Sequence, residues 1–271
     1  MCRLLGYVTG APTSLVDVLG RTEFEAFTAL TAFHDDGWGM AWHDESGELQ
    51  RTGSARSAEH DPAYDDLASQ RLGRAGIVHL RWASPGLAIS AENTHPFVDG
   101  DLAMAHNGHI APIERLEELL TPANREKLRG DTDSERYFRY VVQCIDETGD
   151  HEAGLLAAVR TLEAEFPHAS LNALLLTPTK LFAVHVNSRA AVPTALKGLG
   201  IAAERIRHTE DEYFAMDFRR TPDGLHVISS GIDPAGWEPV PEDAVGVVDL
   251  ATGAEEWLPV GAAGRDRAST R

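Results

Sequence analysis

The chain has 271 residues, enough for one large domain or two modest ones with a sizeable buried core. Its 24 Lys and Arg against 42 Asp and Glu leave a formal net charge of -18, a balance that repels phosphate backbones and anionic lipid and so argues against nucleic-acid and membrane partners. Two cysteines allow at most one disulfide, which excludes a stapled secreted scaffold; with no basic-then-apolar leader and no apolar run of bilayer length, the expected location is the cytoplasm.

Residues 3 to 9, RLLGYVT, read as a first strand that would draw the terminus into a sheet. SLVDVLG and EFEAFTALTAF suggest short helices, and DDGWGMAWHDESGELQRTG suggests two strands around the turn DESG. A helix over roughly 61 to 72 precedes the strand AGIVHLRWAS, followed by the strand DLAMAH, an interrupted helical region from Pro112 to Arg129, and helices over about 133 to 148 and 152 to 165. LNALLLTPTKLFAVHVN and YFAMDFRRTPDGLHVISSG read as hairpins turning at Thr-Pro-Thr-Lys and Pro-Asp-Gly. Hairpins with helices grouped between them predict a mostly antiparallel α+β layered architecture, not alternating βαβ units. No linker divides the chain, so one domain is expected over 1–260, with 261–271 a small, polar, mobile tail.

Chemistry starts at Cys2, directly behind the start methionine. Removal of Met1 would give this residue a free α-amine, so that a thiol with a reference pKa of ~8.5 and a base of ~8 share one residue, the logic of N-terminal nucleophiles. A chance thiol at a frayed end is the plainer alternative. Alternation along GIVHLRWAS puts Ile77, His79, Arg81 and Ala83 on one face and Val78, Leu80, Trp82 and Ser84 on the other; Arg81 must meet an anion, either a substrate carboxylate or a fixed acid. Asn107 and Gly108 in AHNGH form the strongest short hairpin signal and equally could offer a side-chain amide and an unshielded N–H to an oxyanion. Thr132 and Glu135 have capping-box spacing, which puts Asp133 in the first turn of a helix, ionised and open to an ammonium group or serving the helix dipole alone. Gly37 and Gly39 around Trp38 indicate close backbone packing. His106 and His109 flank the Asn-Gly pair, but no HExxH or cysteine-pair spacing supports a metal site, and no cofactor motif is present.

Cys2 behind Met1, then DDGWG, LRWAS, HNG and DTDSE in that order, together resemble the class II glutamine amidotransferase family, and DDGWG resembles its small single-domain members, among them the ergothioneine-pathway γ-glutamyl hydrolases. The resemblance implies an N-terminal nucleophile hydrolase fold, an αββα sandwich of two mostly antiparallel sheets. It implies Cys2 as nucleophile and its amine as base, Asn107 and Gly108 as the oxyanion hole, Arg81 as the grip on a glutamine α-carboxylate with Trp82 and Ser84 beside it, and Asp133 as receiver of the α-ammonium. The implied reaction cleaves the γ-amide of glutamine or a γ-glutamyl conjugate through a thioester, without cofactor or metal. RWASPG departs from the RWATHG of many ammonia-transferring members by placing Pro85 where they have histidine. Too little chain follows the core for an acceptor-activating domain, so any synthase would be a separate subunit. The alternative of another class is a catalytically silent γ-glutamyl-binding regulatory subunit.

Overall fold

The computed structural model describes residues 2–84, 86–187, 189–190, 207, 209 and 212–261. Pro85 and tail residues 262–271 lie outside them. The chain opens with strand β1 (Arg3–Thr13), then helices α1 (Leu15–Leu19) and α2 (Arg21–Ala29), the hairpin β2 (Trp38–His43) and β3 (Leu49–Ser54), helix α3 (Pro62–Ala68) and strand β4 (Gly73–Leu80). Strands β5 (Phe97–Asp99) and β6 (Leu102–His106) lead into helices α4 (Ile113–Glu118), α5 (Pro122–Glu126), α6 (Asp133–Thr148) and α7 (His151–Glu165). The rest is sheet: β7 (Ala173–Leu176), β8 (Lys180–His185), β9 (Met216–Thr221), β10 (Gly224–Ser229), β11 (Glu238–Pro239), β12 (Ala244–Asp249) and β13 (Glu255–Pro259).

These strands form two sheets, ordered β11-β9-β10-β1-β4-β2-β3 and β13-β12-β8-β7-β6-β5, and all their pairings are antiparallel. Three apolar clusters fill three interfaces and so define four layers. Leu5, Tyr7, Val78 and Leu80 pack with Phe24, Phe27 and Tyr64 of α2 and α3. Leu4, Val8, Ala75 and Ile77 meet Ala103, Ala105, Leu174 and Leu176 between the sheets. Met104, Leu175 and Phe182 pack beneath Phe138, Val141, Leu155 and Val159 of α6 and α7. The order is helices, sheet, sheet, helices, the αββα sandwich of an α+β fold.

Two details differ from the sequence reading. The strand predicted through Ser84 ends at Leu80, so Arg81 to Ser84 belong to a loop and their side chains need not alternate. Asn-Gly at 107–108 closes no hairpin: β6 pairs with β5 before it and β7 well after it, and Gly108 has a negative φ where a type I′ turn requires a positive one.

Candidate active site

Strand alternation determines which residues reach the space between the sheets. On β1, Leu4 and Val8 face the second sheet, so Cys2 shares their side, while Arg3 points to the helical side and donates to Tyr213 and Ser230. On β6, Ala103 and Ala105 face the first sheet, and Asn107, next in the same parity, carries the pattern past the strand end. The two residues meet there. Cys2 N donates to Asn107 Oδ1 at 3.0 Å. That contact orients the amide, leaving Nδ2 as a buried donor with no partner among the described residues. The backbone of Asn107 is fixed separately, its N–H donating to Asn172 O at 2.7 Å and its carbonyl accepting from Ser170 Oγ. Gly108 is needed for this packing, because a Cβ there would stand 1.9 Å from Ser170 O.

Cys2 is 7% exposed, and its thiol contacts Trp82 O at 3.8 Å. His79 lies in β4 opposite Leu4, and its ring sits 4.1 Å from that of His95. Burial pushes the thiol up, but His95 beside it and the positive chain terminus pull harder the other way, so it ionises below the ordinary cysteine range. Burial, with His79 close by, drives His95 down to about 3, so it is neutral at pH 7.

Arg81 is 2% exposed and donates to two backbone carbonyls, Asp36 O at 3.3 Å and Ala88 O at 3.0 Å. No carboxylate among the described residues pairs with it. Asp36 secures the loop a second time, its Oδ2 accepting from Ala83 N at 2.7 Å, and Arg81 N donates to Gly37 O at 2.8 Å. Gly37, at φ +132°, makes the bend that presents that carbonyl, and Gly39 admits the chain at His95, whose oxygen would stand 2.0 Å from a Cβ. The DDGWG segment therefore clasps the loop of Arg81 on one side and seats His95 on the other. Trp82 is half-buried and edge-on to His34, and it packs with Tyr213 and Phe214. Ser84 is half-buried and joins the site loop through its carbonyl, which accepts from Leu87 N.

Asp133 begins α6 behind the N-cap Thr132, whose Oγ1 accepts from Glu135 N at 3.1 Å. The expected capping box is half made, since the Glu135 carboxylate turns to the N–H groups of Arg129 and Gly130. Asp133 Oδ2 accepts from Ile110 N at 2.6 Å and lies 3.5 Å from His109 Nδ1. Burial would raise this carboxyl, but His109, His106 and the Ile110 N–H together hold it below the usual carboxylate range. His106 is a fixed spacer in the same network: its Nε2 donates to Ser170 O, which leaves Nδ1 to accept from Ser134 Oγ.

The structure thus brings Cys2, Asn107 and the Trp82 carbonyl into contact, with Arg81 preceding Trp82 and Asp133 held by the segment that continues from Asn107 and Gly108. Sequence reasoning did not pick out Asp36, His79, His95 or Asn172. Each acts through partners far away in the chain, and none sits in a spacing that chemistry demands.

The sequence model for class II glutamine amidotransferases matches residues 1–202. Glutamine–fructose-6-phosphate aminotransferase of Pseudomonas syringae pv. tomato is 28% identical over 223 residues, covering 80% of this chain and 34% of its own. The chain therefore spans about a third of the length of that relative. A glutamine aminotransferase class-II domain protein from Silicibacter pomeroyi superposes with a TM-score of 0.62 at 19% identity, over 95% of this chain and all of its own. Glutamine phosphoribosylpyrophosphate amidotransferase from B. subtilis gives 0.59 at 15% identity, over 96% of this chain and 50% of its own. At such identities the two structures establish a shared fold.

Proposed function

The chain belongs to the class II glutamine amidotransferases, and from that premise we propose that it hydrolyses the γ-amide of glutamine or of a γ-glutamyl conjugate through a thioester on Cys2. With Met1 removed, the α-amine takes the thiol proton while still donating to Asn107 Oδ1, and the thiolate attacks the γ-carbonyl. The resulting oxyanion is received by Asn107 Nδ2 and the Gly108 N–H. The C–N bond breaks, ammonia or an amine leaves with the proton stored on the α-amine, and water attacks the thioester to release glutamate and restore the thiol. Arg81 takes the α-carboxylate, with Trp82 and Ser84 lining that end, and Asp133 takes the α-ammonium. One observation carries this reading: the Cys2 nitrogen fixes the Asn107 amide at 3.0 Å, and the same amide presents a buried Nδ2 with no partner among the described residues.

The test is glutamate release from L-glutamine, compared with a Cys2→Ala control on protein whose intact mass establishes loss of Met1. Release by the wild type alone supports the reading. Binding of glutamate without turnover of glutamine or of any γ-glutamyl thiol conjugate would instead assign the chain as a silent γ-glutamyl-binding subunit. Turnover confined to conjugates would identify the leaving amine, and ammonia transfer to a separately supplied synthase would identify the partner.

A further inference from the structure

Three potential ligand atoms, Cys2 Sγ and one ring nitrogen each of His79 and His95, all lie within 4.8 Å of one another, and all three residues are buried. By hydrogen-bond geometry no ring nitrogen of His79 or His95 has a partner among the described residues, and the polar neighbours that act on them are the Cys2 thiol for His95 and the His106 backbone for His79. Other buried histidines show how such a ring is ordinarily satisfied: His106 bonds through both nitrogens to Ser134 and Ser170, and His185 Nδ1 meets the carbonyls of Val240 and Pro241. The reaction proposed above uses neither His79 nor His95.

We propose that Cys2, His79 and His95 form a binding site for one borderline-soft divalent cation of the zinc type, and that its occupancy switches hydrolysis off reversibly. Atoms no more than 4.8 Å apart share a centre no more than about 2.8 Å from each. Zinc holds imidazole nitrogen at roughly 2.0–2.1 Å and thiolate at roughly 2.3 Å, so shifts under about 1 Å complete three bonds. One thiolate and two imidazoles are the donor types this metal selects over calcium or magnesium, which require oxygen. The fourth position is within reach of the α-amine that loss of Met1 frees, since nitrogen and sulfur of one cysteine close a five-membered chelate ring. On binding, the thiol proton and the proton of the α-ammonium both pass to solvent, four donor bonds form and no electrons are transferred. The nucleophile and its base are thereby tied up together, and a chelator returns both. Cys2 lies at one end of β1, His79 in β4 and His95 on the far side of the following loop, so no sequence spacing advertises the set.

The inhibitory part rests on the hydrolase reading, whereas the binding part does not, and the experiment separates them. Co2+, as a spectroscopic stand-in for zinc, is titrated into the protein lacking Met1. A thiolate-to-cobalt charge-transfer band saturating at one equivalent is expected, retained in Cys144→Ser, lost in Cys2→Ala and weakened at least tenfold in His95→Gln and His79→Gln. A second readout needs no variant: Zn2+ should slow carbamidomethylation of Cys2 at least tenfold while leaving Cys144 unchanged. No band in the wild type, a band that survives Cys2→Ala, or unprotected Cys2 overturns the site. In the glutamine assay one equivalent of Zn2+ should abolish glutamate release and EDTA restore it; metal bound with turnover intact overturns the switch. Metal binding by a protein that cleaves no γ-glutamyl substrate, even after chelation, leaves the site standing and removes the hydrolase reading.

Discussion

Arg81 is a buried guanidinium whose hydrogen bonds go to carbonyls, and its charge meets no carboxylate among the described residues. In the proposed reaction a substrate carboxylate supplies that partner, so Arg81→Ala should raise KM for glutamine by roughly tenfold to a hundredfold, the loss of one charge-assisted contact of about 1.5–3 kcal/mol, with a smaller effect on kcat. Steady-state kinetics check it, and an unchanged KM removes Arg81 from the substrate's carboxylate end. His109 makes a different demand. Asp133 bonds to its ring and raises its pKa above the ordinary histidine value, so the imidazolium forms readily and competes for the carboxylate proposed to hold the α-ammonium. The stabilising pair is fully present below the unfolded pKa of about 6.5 and fades as pH rises through the higher folded value. KM for glutamine should therefore rise as pH falls from about 8 to about 6, and His109→Ala should flatten that rise. A profile that His109→Ala leaves unaltered would free His109 of this role.

At the scale of elements, the site depends on where strands stop and how closely chains can approach. Gly154 of α7 lies so close to α6 that a Cβ would stand 2.5 Å from Ile145 Cα, and backbone cannot step aside as a side-chain tip can. Gly154→Ala should therefore lower the denaturation midpoint by an equivalent of about 1–3 kcal/mol despite alanine's better helix propensity. Thr132→Ala should cost about 1 kcal/mol by removing the N-cap that starts α6 at Asp133. Both are read from urea denaturation. Much of this architecture was legible: β7 with β8 and β9 with β10 follow from turn chemistry between apolar runs, and α6 from its cap and apolar stripe. β5 and β11, three and two residues long, are too short to show a period. β12 is buried along nearly its whole length and so lacks the alternation that marks a half-exposed strand. Arg81 was picked out by residue type while its placement on a strand face failed, because backbone contacts with Asp36 and Gly37 take the chain out of the sheet at Leu80.

Across the whole molecule, many histidines are buried, and burial holds His43, His79, His95, His106, His185 and His226 below their ordinary value. His226 is the clearest outside the site, driven to about 4 by burial and by Arg219 nearby. Between that value and the unfolded 6.5 the unfolded chain binds more protons, so stability falls as pH drops, by about 2 kcal/mol at pH 5 from this residue alone. Urea midpoints should decline from pH 7 to pH 5, and less steeply in His226→Gln; equal slopes would refute the assignment. The position of β1 has one more consequence. It lies between β4 and β10, and β10 begins at Gly224, so during synthesis the strand behind Met1 waits for more than two hundred residues before its second neighbour exists. The loss of Met1 that the proposed mechanism requires has its opportunity in that interval. Cys2 is 7% exposed in the closed sandwich, so the proposed mechanism makes maturation a race between a peptidase and the ribosome, and an aminopeptidase added to folded protein should yield less chain beginning at Cys2 than one present during synthesis.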